Sequence, residues 1–204
     1  MNKPLEFFFD LGRPATYLAY TQLPALCAET GALLVYRPIL LGGVFKATGN
    51  ASPITVPAKG RYLLDDLARY ARRYKVVLKF SPHFPINTLV LMRAVTGMQM
   101  HQPERFQAFI DCLFHALWVE GRHLGDPAVV ATVLTEQGFD PEQILALSND
   151  EVVKAALKDN TERAVQRGVF GAPSLFVGDQ LFFGQDRLEF VREALGNISI
   201  VDRP

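Results

Sequence analysis

The chain is poor in cysteine and carries no surplus charge of either sign. Only Cys27 and Cys112 occur in 204 residues. They are too far apart for a CxxC redox pair and too few for a disulfide framework or a thiolate metal cluster. That scarcity suits a reducing compartment, so a cytoplasmic location is expected. Lys plus Arg equals Asp plus Glu at 21 each. A polyanion binder needs surplus cations to displace counterions, so neither nucleic acid nor an anionic membrane is expected as a partner. No apolar run approaches the ~20 residues of a membrane helix. The three phenylalanines before Asp10 are too few for a signal-peptide core. His83, His101, His115 and His123 lack metal-ligand spacing.

What is present is apolar sequence in ordered patterns, in a chain long enough for one full core. Leu5-Glu6-Phe7-Phe8-Phe9 reads as a buried strand, and Asp10-Leu11-Gly12-Arg13-Pro14 as a turn with proline at the first helical position. The following helix contains Pro24, which should kink it, and closes at Gly31. Leu33 to Arg37, ended by Pro38, is the next strand, completing a βαβ unit. From about Lys59 to Arg167 the pattern is helical. Phe106, Phe109, Ile110, Leu113, Phe114 and Leu117 form its clearest apolar stripe. Asp126-Pro127, Asp140-Pro141 and Asn149 or Asp150 supply helix starts, and Asn87 resembles another N-cap. Pro173 to Val177, Gly178-Asp179 and Gln180 to Phe183 read as a β-hairpin, with a final helix after Asp186. The order βαβ, helical block, αββα is the plan of an α/β thioredoxin-like fold with a large all-helical insertion. The boundaries expected are 1–58 and 150–204 for the two parts of the thioredoxin-like domain and 59–149 for the insertion.

Several short segments carry a family resemblance: Phe8-Phe9-Asp10 with Tyr17-Leu18-Ala19, the run Arg37 to Lys46, Pro57-Ala58-Lys59, Pro82 to Thr88, Gly168 to Pro173, and Phe183 to Leu188. In this order and spacing the chain resembles the 2-hydroxychromene-2-carboxylate isomerases and the similar kappa-class glutathione transferases, which have a DsbA-like thioredoxin fold. The resemblance implies glutathione as cofactor, a small aromatic carboxylate as substrate, isomerase activity and a homodimer. It also implies a cis Ala172-Pro173 bond beside the start of the first helix, with Ala172 and Pro173 pairing an extended peptide ligand. Gln185 and Asp186 would meet the γ-glutamyl end, Lys59 would contact glutathione, and Lys46, Asn50 and His83 would contact the substrate. One position departs. The family has Ser-Pro where this chain has Arg13-Pro14, and that serine donates to the glutathione sulfur.

The residues themselves leave alternatives open. Arg13 is either a solvated side chain or a charge for an anion, and Thr16 either bonds backbone or replaces the missing hydroxyl. Lys46, Asn50 and Lys59 read as solvated loop residues, and His83 as a loop residue without a partner. Asp186 suits an N-cap. Trp118 either fills the core or lines a substrate cavity, and both cysteines read as buried structural thiols. Three functions fit: a glutathione-dependent isomerase, a kappa-like transferase or peroxidase, and a ligand-binding module without turnover.

Overall fold

The computed structural model describes residues 3–196. The extreme ends of the expected 1–58 and 150–204 segments therefore lie outside the described residues. Strand β1 (Pro4–Phe9) and helix α1 (Pro14–Thr30) lead into β2 (Leu33–Pro38). A hairpin of β3 (Ser174–Val177) and β4 (Gln180–Phe183) completes a sheet of order β2-β1-β3-β4. β1 runs parallel to β2 and antiparallel to β3. Phe7 and Phe9 are fully buried and stack with ring centroids 5.3 Å apart. Each such ring contributes roughly 1.5–3 kcal/mol by leaving water. β1 is thus central because nearly every side chain it carries is apolar.

The intervening chain is helical: α2 (Leu41–Thr48), α3 (Pro57–Tyr74), α4 (Leu89–His101), α5 (Pro103–His115), α6 (Pro127–Glu136), α7 (Pro141–Asn149) and α8 (Glu151–Gln166). A last helix, α9 (Leu188–Leu195), follows the hairpin. The three expected aspartate caps are made, whereas α4 takes Thr88 rather than Asn87 as its cap residue. Asp126, Asp140 and Asp150 each accept a backbone N–H from the first turn of α6, α7 and α8. The side-chain carbonyl of Asn87 accepts the N–H of Leu89 at 2.9 Å, with Thr88 as the residue at the boundary of α4. Helix α1 continues through the exposed Pro24 to Gly31, which takes the left-handed conformation.

Helix α2 corrects the reading of Lys46 as a loop residue. Gly42 and Gly43 argue against a helix locally, yet tertiary packing decides. The bare Gly43 lets α2 lie against α8, where an added Cβ would meet Thr161 Cγ2 at 3.2 Å. Leu41 and Val44 are buried beneath it.

Glu6 clamps the outer end of the sheet, accepting from Arg37 Nε and Arg167 Nη1 at 2.8 Å each. Burial works against its charge, but the hydrogen bonds and charges of the two guanidinium groups prevail and hold its carboxyl below 4.5. A depressed folded pKa contributes stability above the unfolded value and loses it as pH falls through the folded value. Glu6→Gln is therefore expected to cost about 0.5–1 kcal/mol at pH 7, since both arginines are partly exposed. The difference should vanish in urea denaturation below about pH 4.

Candidate functional site

The site is built where β1 ends. Asp10 is 1% exposed and binds three elements at once. Its Oδ1 accepts the Gly12 N–H at 2.9 Å, and its Oδ2 accepts the Leu41 N–H at 2.9 Å and the Thr88 hydroxyl at 3.0 Å. The carboxylate thereby joins the turn before α1 to the starts of α2 and α4. Burial raises its pKa above 3.8, opposed by those three donors and by the charge of Arg13. Gly12 is required by close approach, because a Cβ there would stand 2.7 Å from Thr88 Cγ2. Met92 of α4 accepts the Leu11 N–H on sulfur at 3.4 Å, and Trp118 Nε1 donates to the Leu11 carbonyl at 2.9 Å. Trp118 is 1% exposed, so the core reading of this residue stands.

Helix α1 begins at Pro14 with Arg13 in extended conformation as its cap residue, and no side chain caps the turn. Two buried polar atoms there have no partner, Arg13 Nε and Thr16 Oγ1. Both local expectations for these residues are corrected. Arg13 is not simply solvated, and the Thr16 hydroxyl, fully buried, does not bond backbone. Desolvation pulls the Arg13 pKa down while the charge of Asp10 pushes it up. A guanidinium remains protonated at neutral pH even so. A buried hydroxyl without a partner costs about 1–3 kcal/mol, and a cation at an uncapped helix start adds to the dipole's preference for an anion.

The sheet brings the second half of the site to this turn. Phe8 pairs with Ser174 across β1 and β3, so the residues just before β3 stand at the end where β1 hands over to α1. The Ala172–Pro173 bond is cis, as expected, and Phe84–Pro85 is a second cis bond that nothing in the pattern announced. The Pro173 carbonyl accepts the Gly184 N–H at 3.0 Å, and the Gln185 carbonyl accepts the Tyr74 hydroxyl at 2.5 Å. Gln185 is buried. Asp186 does not cap α9: its carboxylate pairs with Arg187, the better partner for a full charge at that position. Beside this turn Phe170 and Phe183 pack with centroids 4.6 Å apart, each still more than a third exposed. The Asn50 amide donates to the Phe170 carbonyl at 2.9 Å, joining the loop after α2 to the same region.

The remaining candidates stand further out. Lys46 is exposed on α2 and Lys59 is exposed in the first turn of α3, so both are helical rather than loop residues. His83 does have a partner. Its ring stacks on His123 at 4.0 Å with the planes 10° apart. Among the described residues no cluster of three potential ligands could hold a metal ion, and no helix is long and apolar enough to cross a membrane. Cys112 is buried and its thiol is pushed up to about 12 by burial and by Asp111, while burial raises the half-buried Cys27 above 9.0. The chain thus supplies a cation, a hydroxyl and amides at the start of α1, with no ionised sulfur of its own. The sequence reads Asp10 as the first residue of a turn and as part of a resemblance, not as a junction of three segments. The available signal was an acid closing a mostly apolar strand.

A family model of the DSBA-like thioredoxin domain matches residues 4–196. The 2-hydroxychromene-2-carboxylate isomerase of Sphingobium xenophagum is 31% identical over 197 residues, covering 96% of this chain and 99% of that one. The chain belongs to the DsbA-like thioredoxin family, with the 2-hydroxychromene-2-carboxylate isomerases. Glutathione S-transferase kappa 1 of Rattus norvegicus is 28% identical over 94% of this chain and 90% of its own. The solved structure of a selenomethionine 2-hydroxychromene-2-carboxylate isomerase superposes with a TM-score of 0.83 at 27% identity, covering 96% of this chain and 95% of that one. The DsbA-like architecture thus extends over the helical block as well as the sheet.

Proposed function

We propose that the protein is a glutathione-dependent isomerase of the 2-hydroxychromene-2-carboxylate isomerase type, with the helical block 59–149 inserted between thioredoxin-like parts 1–58 and 150–204. The observation that carries this reading is the pair of buried, unpartnered polar atoms, Arg13 Nε and Thr16 Oγ1, at the uncapped start of α1. That set fits a peptide thiolate: two donors for an anion, on a chain that brings no reactive cysteine. When bound, glutathione supplies a nucleophilic sulfur able to add reversibly to a conjugated system.

The chain's own residues do the rest. The Thr16 hydroxyl takes the place of the family serine as donor to the sulfur, and Arg13 supplies the positive charge that favours the anion and the substrate carboxylate. Ala172 and Pro173 offer backbone to an extended peptide, in the manner of an added strand. Gln185 and Asp186 receive the γ-glutamyl end, where a carboxylate suits an ammonium group, and Lys59 meets a glutathione carboxylate. Lys46, Asn50 and His83 orient the aromatic carboxylate, and the exposed pair Phe170 and Phe183 offers it an apolar flank. Orientation of two reactants in one site is the main source of rate in such a scheme.

The test is the interconversion of 2-hydroxychromene-2-carboxylate and its ring-opened isomer, followed by absorbance with and without glutathione. A rate that appears only with glutathione is expected; its absence would falsify the reading. The similarity to kappa 1 transferase favours conjugation as a second activity. Turnover of chlorodinitrobenzene without isomerisation would select that alternative instead.

A further inference from the structure

Helices α4, α5, α6 and α7 together line a cavity of about 520 Å³. Drug-sized ligands occupy roughly 300–1,000 Å³. The walls are hydrocarbon: Leu91 and Ala94 from α4, Leu113 from α5, Leu134 from α6 and Ile144 from α7. All five belong to the buried core. The mouth is apolar as well, since Val90 and Leu145 are 53% and 56% exposed there. Arg13, Thr16, Pro173 and Asp186 take no part in this lining, so the cavity is separate from the site at the start of α1.

The polar groups around it define the occupant by exclusion. Among the described residues, no lysine, arginine or histidine lines the cavity, and Glu142 is its one ionisable member. Asn87 turns its carbonyl to the Leu89 N–H, and the Ser148 hydroxyl donates to the Leu145 carbonyl. A carboxylate entering here would lose its hydration, find no cation and meet Glu142. A neutral apolar molecule loses nothing of the kind, and unoccupied apolar space of this sort takes apolar guests.

We propose that this cavity is a second ligand site, for a small neutral apolar molecule. The site bears on the first one through α4. Val90, Leu91 and Ala94 of that helix, with Asn87 just before it, line the cavity. The boundary residue Thr88 donates to Asp10, and Met92 on the helix accepts the Leu11 amide. The proposal does not depend on glutathione binding, and its test separates the two.

Full-length protein is titrated with the neutral fluorophore N-phenyl-1-naphthylamine. Saturable one-to-one enhancement is expected, with a melting temperature raised by mass action. The anion 1-naphthoate should bind at least about tenfold more weakly. Ala94→Phe and Ala131→Phe, which fill the cavity from α4 and α6, should each cut affinity at least about tenfold. Leu145→Gln changes only the exposed mouth, so it keeps the fold measurable, and a loss of about threefold is expected. Saturating glutathione should leave the probe in place. Equal binding of naphthoate, displacement by glutathione, or unchanged affinity in Leu145→Gln overturns the proposal. A probe signal that disappears as the protein dimerises would identify a second copy of the chain as the occupant and overturn it as well.

Discussion

Replacement of Arg13 by methionine is expected to lower glutathione-dependent kcat/KM about a hundredfold, with only a modest fall in the melting temperature. The two effects separate because they have different origins. A preorganised donor aimed at developing negative charge is worth about 10²–10³ in rate, and Arg13 is the one guanidinium at the uncapped start of α1. Its Nε is buried and unpartnered, so methionine removes a desolvated charge whose burial already lowers its pKa. The same cation also favours the buried Asp10 carboxylate, and removing one of two interacting buried charges destabilises, so relief of the desolvated guanidinium is partly offset. Arg13→Ser returns the hydroxyl found in the family and should lose less than Arg13→Met. Calorimetric titration with glutathione, steady-state kinetics and thermal melts decide the matter. Unchanged kinetics, or a fall in stability matching the fall in activity, would refute an anion-binding role for Arg13.

Loss of the Asp10 carboxylate should act in the opposite order, on stability first. Asp10→Ala strands two backbone N–H groups and the Thr88 hydroxyl, all in the interior. Each unpaired donor costs about 1–3 kcal/mol, and roughly 3–5 kcal/mol is expected in total, a large part of a domain's ~5–15 kcal/mol. The urea midpoint at pH 7 is the measurement; a shift within the ordinary scatter of surface variants would contradict the assigned hub. Asp10→Asn keeps the shape and at least one acceptor, so it should fall between. The pH dependence has a definite sign. Burial raises the folded pKa above 3.8, so this group's contribution is fullest below 3.8 and declines as pH rises through the folded value. That is opposite to Glu6, whose contribution is lost on acidification. The ionised Asp10 therefore costs something at neutral pH relative to the unfolded chain, yet its removal costs more because three donors are organised around it.

Much of the fold could be read from residue order. The apolar run before Asp10, the Gly178-Asp179 hairpin turn and the three Asp caps each have a local cause, and local causes are visible in a sequence. Helix α2 was not visible, because Gly42 and Gly43 point away from it and the deciding contact is Thr161, more than a hundred residues on. The stacking of His83 on His123 was hidden for the same reason. In the site, Arg13 and Thr16 could be named from their place at a helix start. Their burial without partners could not, since that depends on what the rest of the chain packs around them. Asp186 was misread as a cap because local preference ignores the adjacent Arg187. Asp10 is the instructive omission. An acid at a strand end reads as a turn former, and only the convergence of three segments gives it another task.

The two raised thiols have a practical consequence for the proposed glutathione-dependent function. Burial raises Cys27 above 9.0 and Cys112 to about 12, and a thiol with a pKa above 9 is less than about 1% ionised at pH 7. Iodoacetamide or a quinone arriving at the enzyme meets almost no thiolate on the polypeptide. Inactivation by such reagents should track the free glutathione remaining in solution, and fresh glutathione should restore the activity of the same protein molecules.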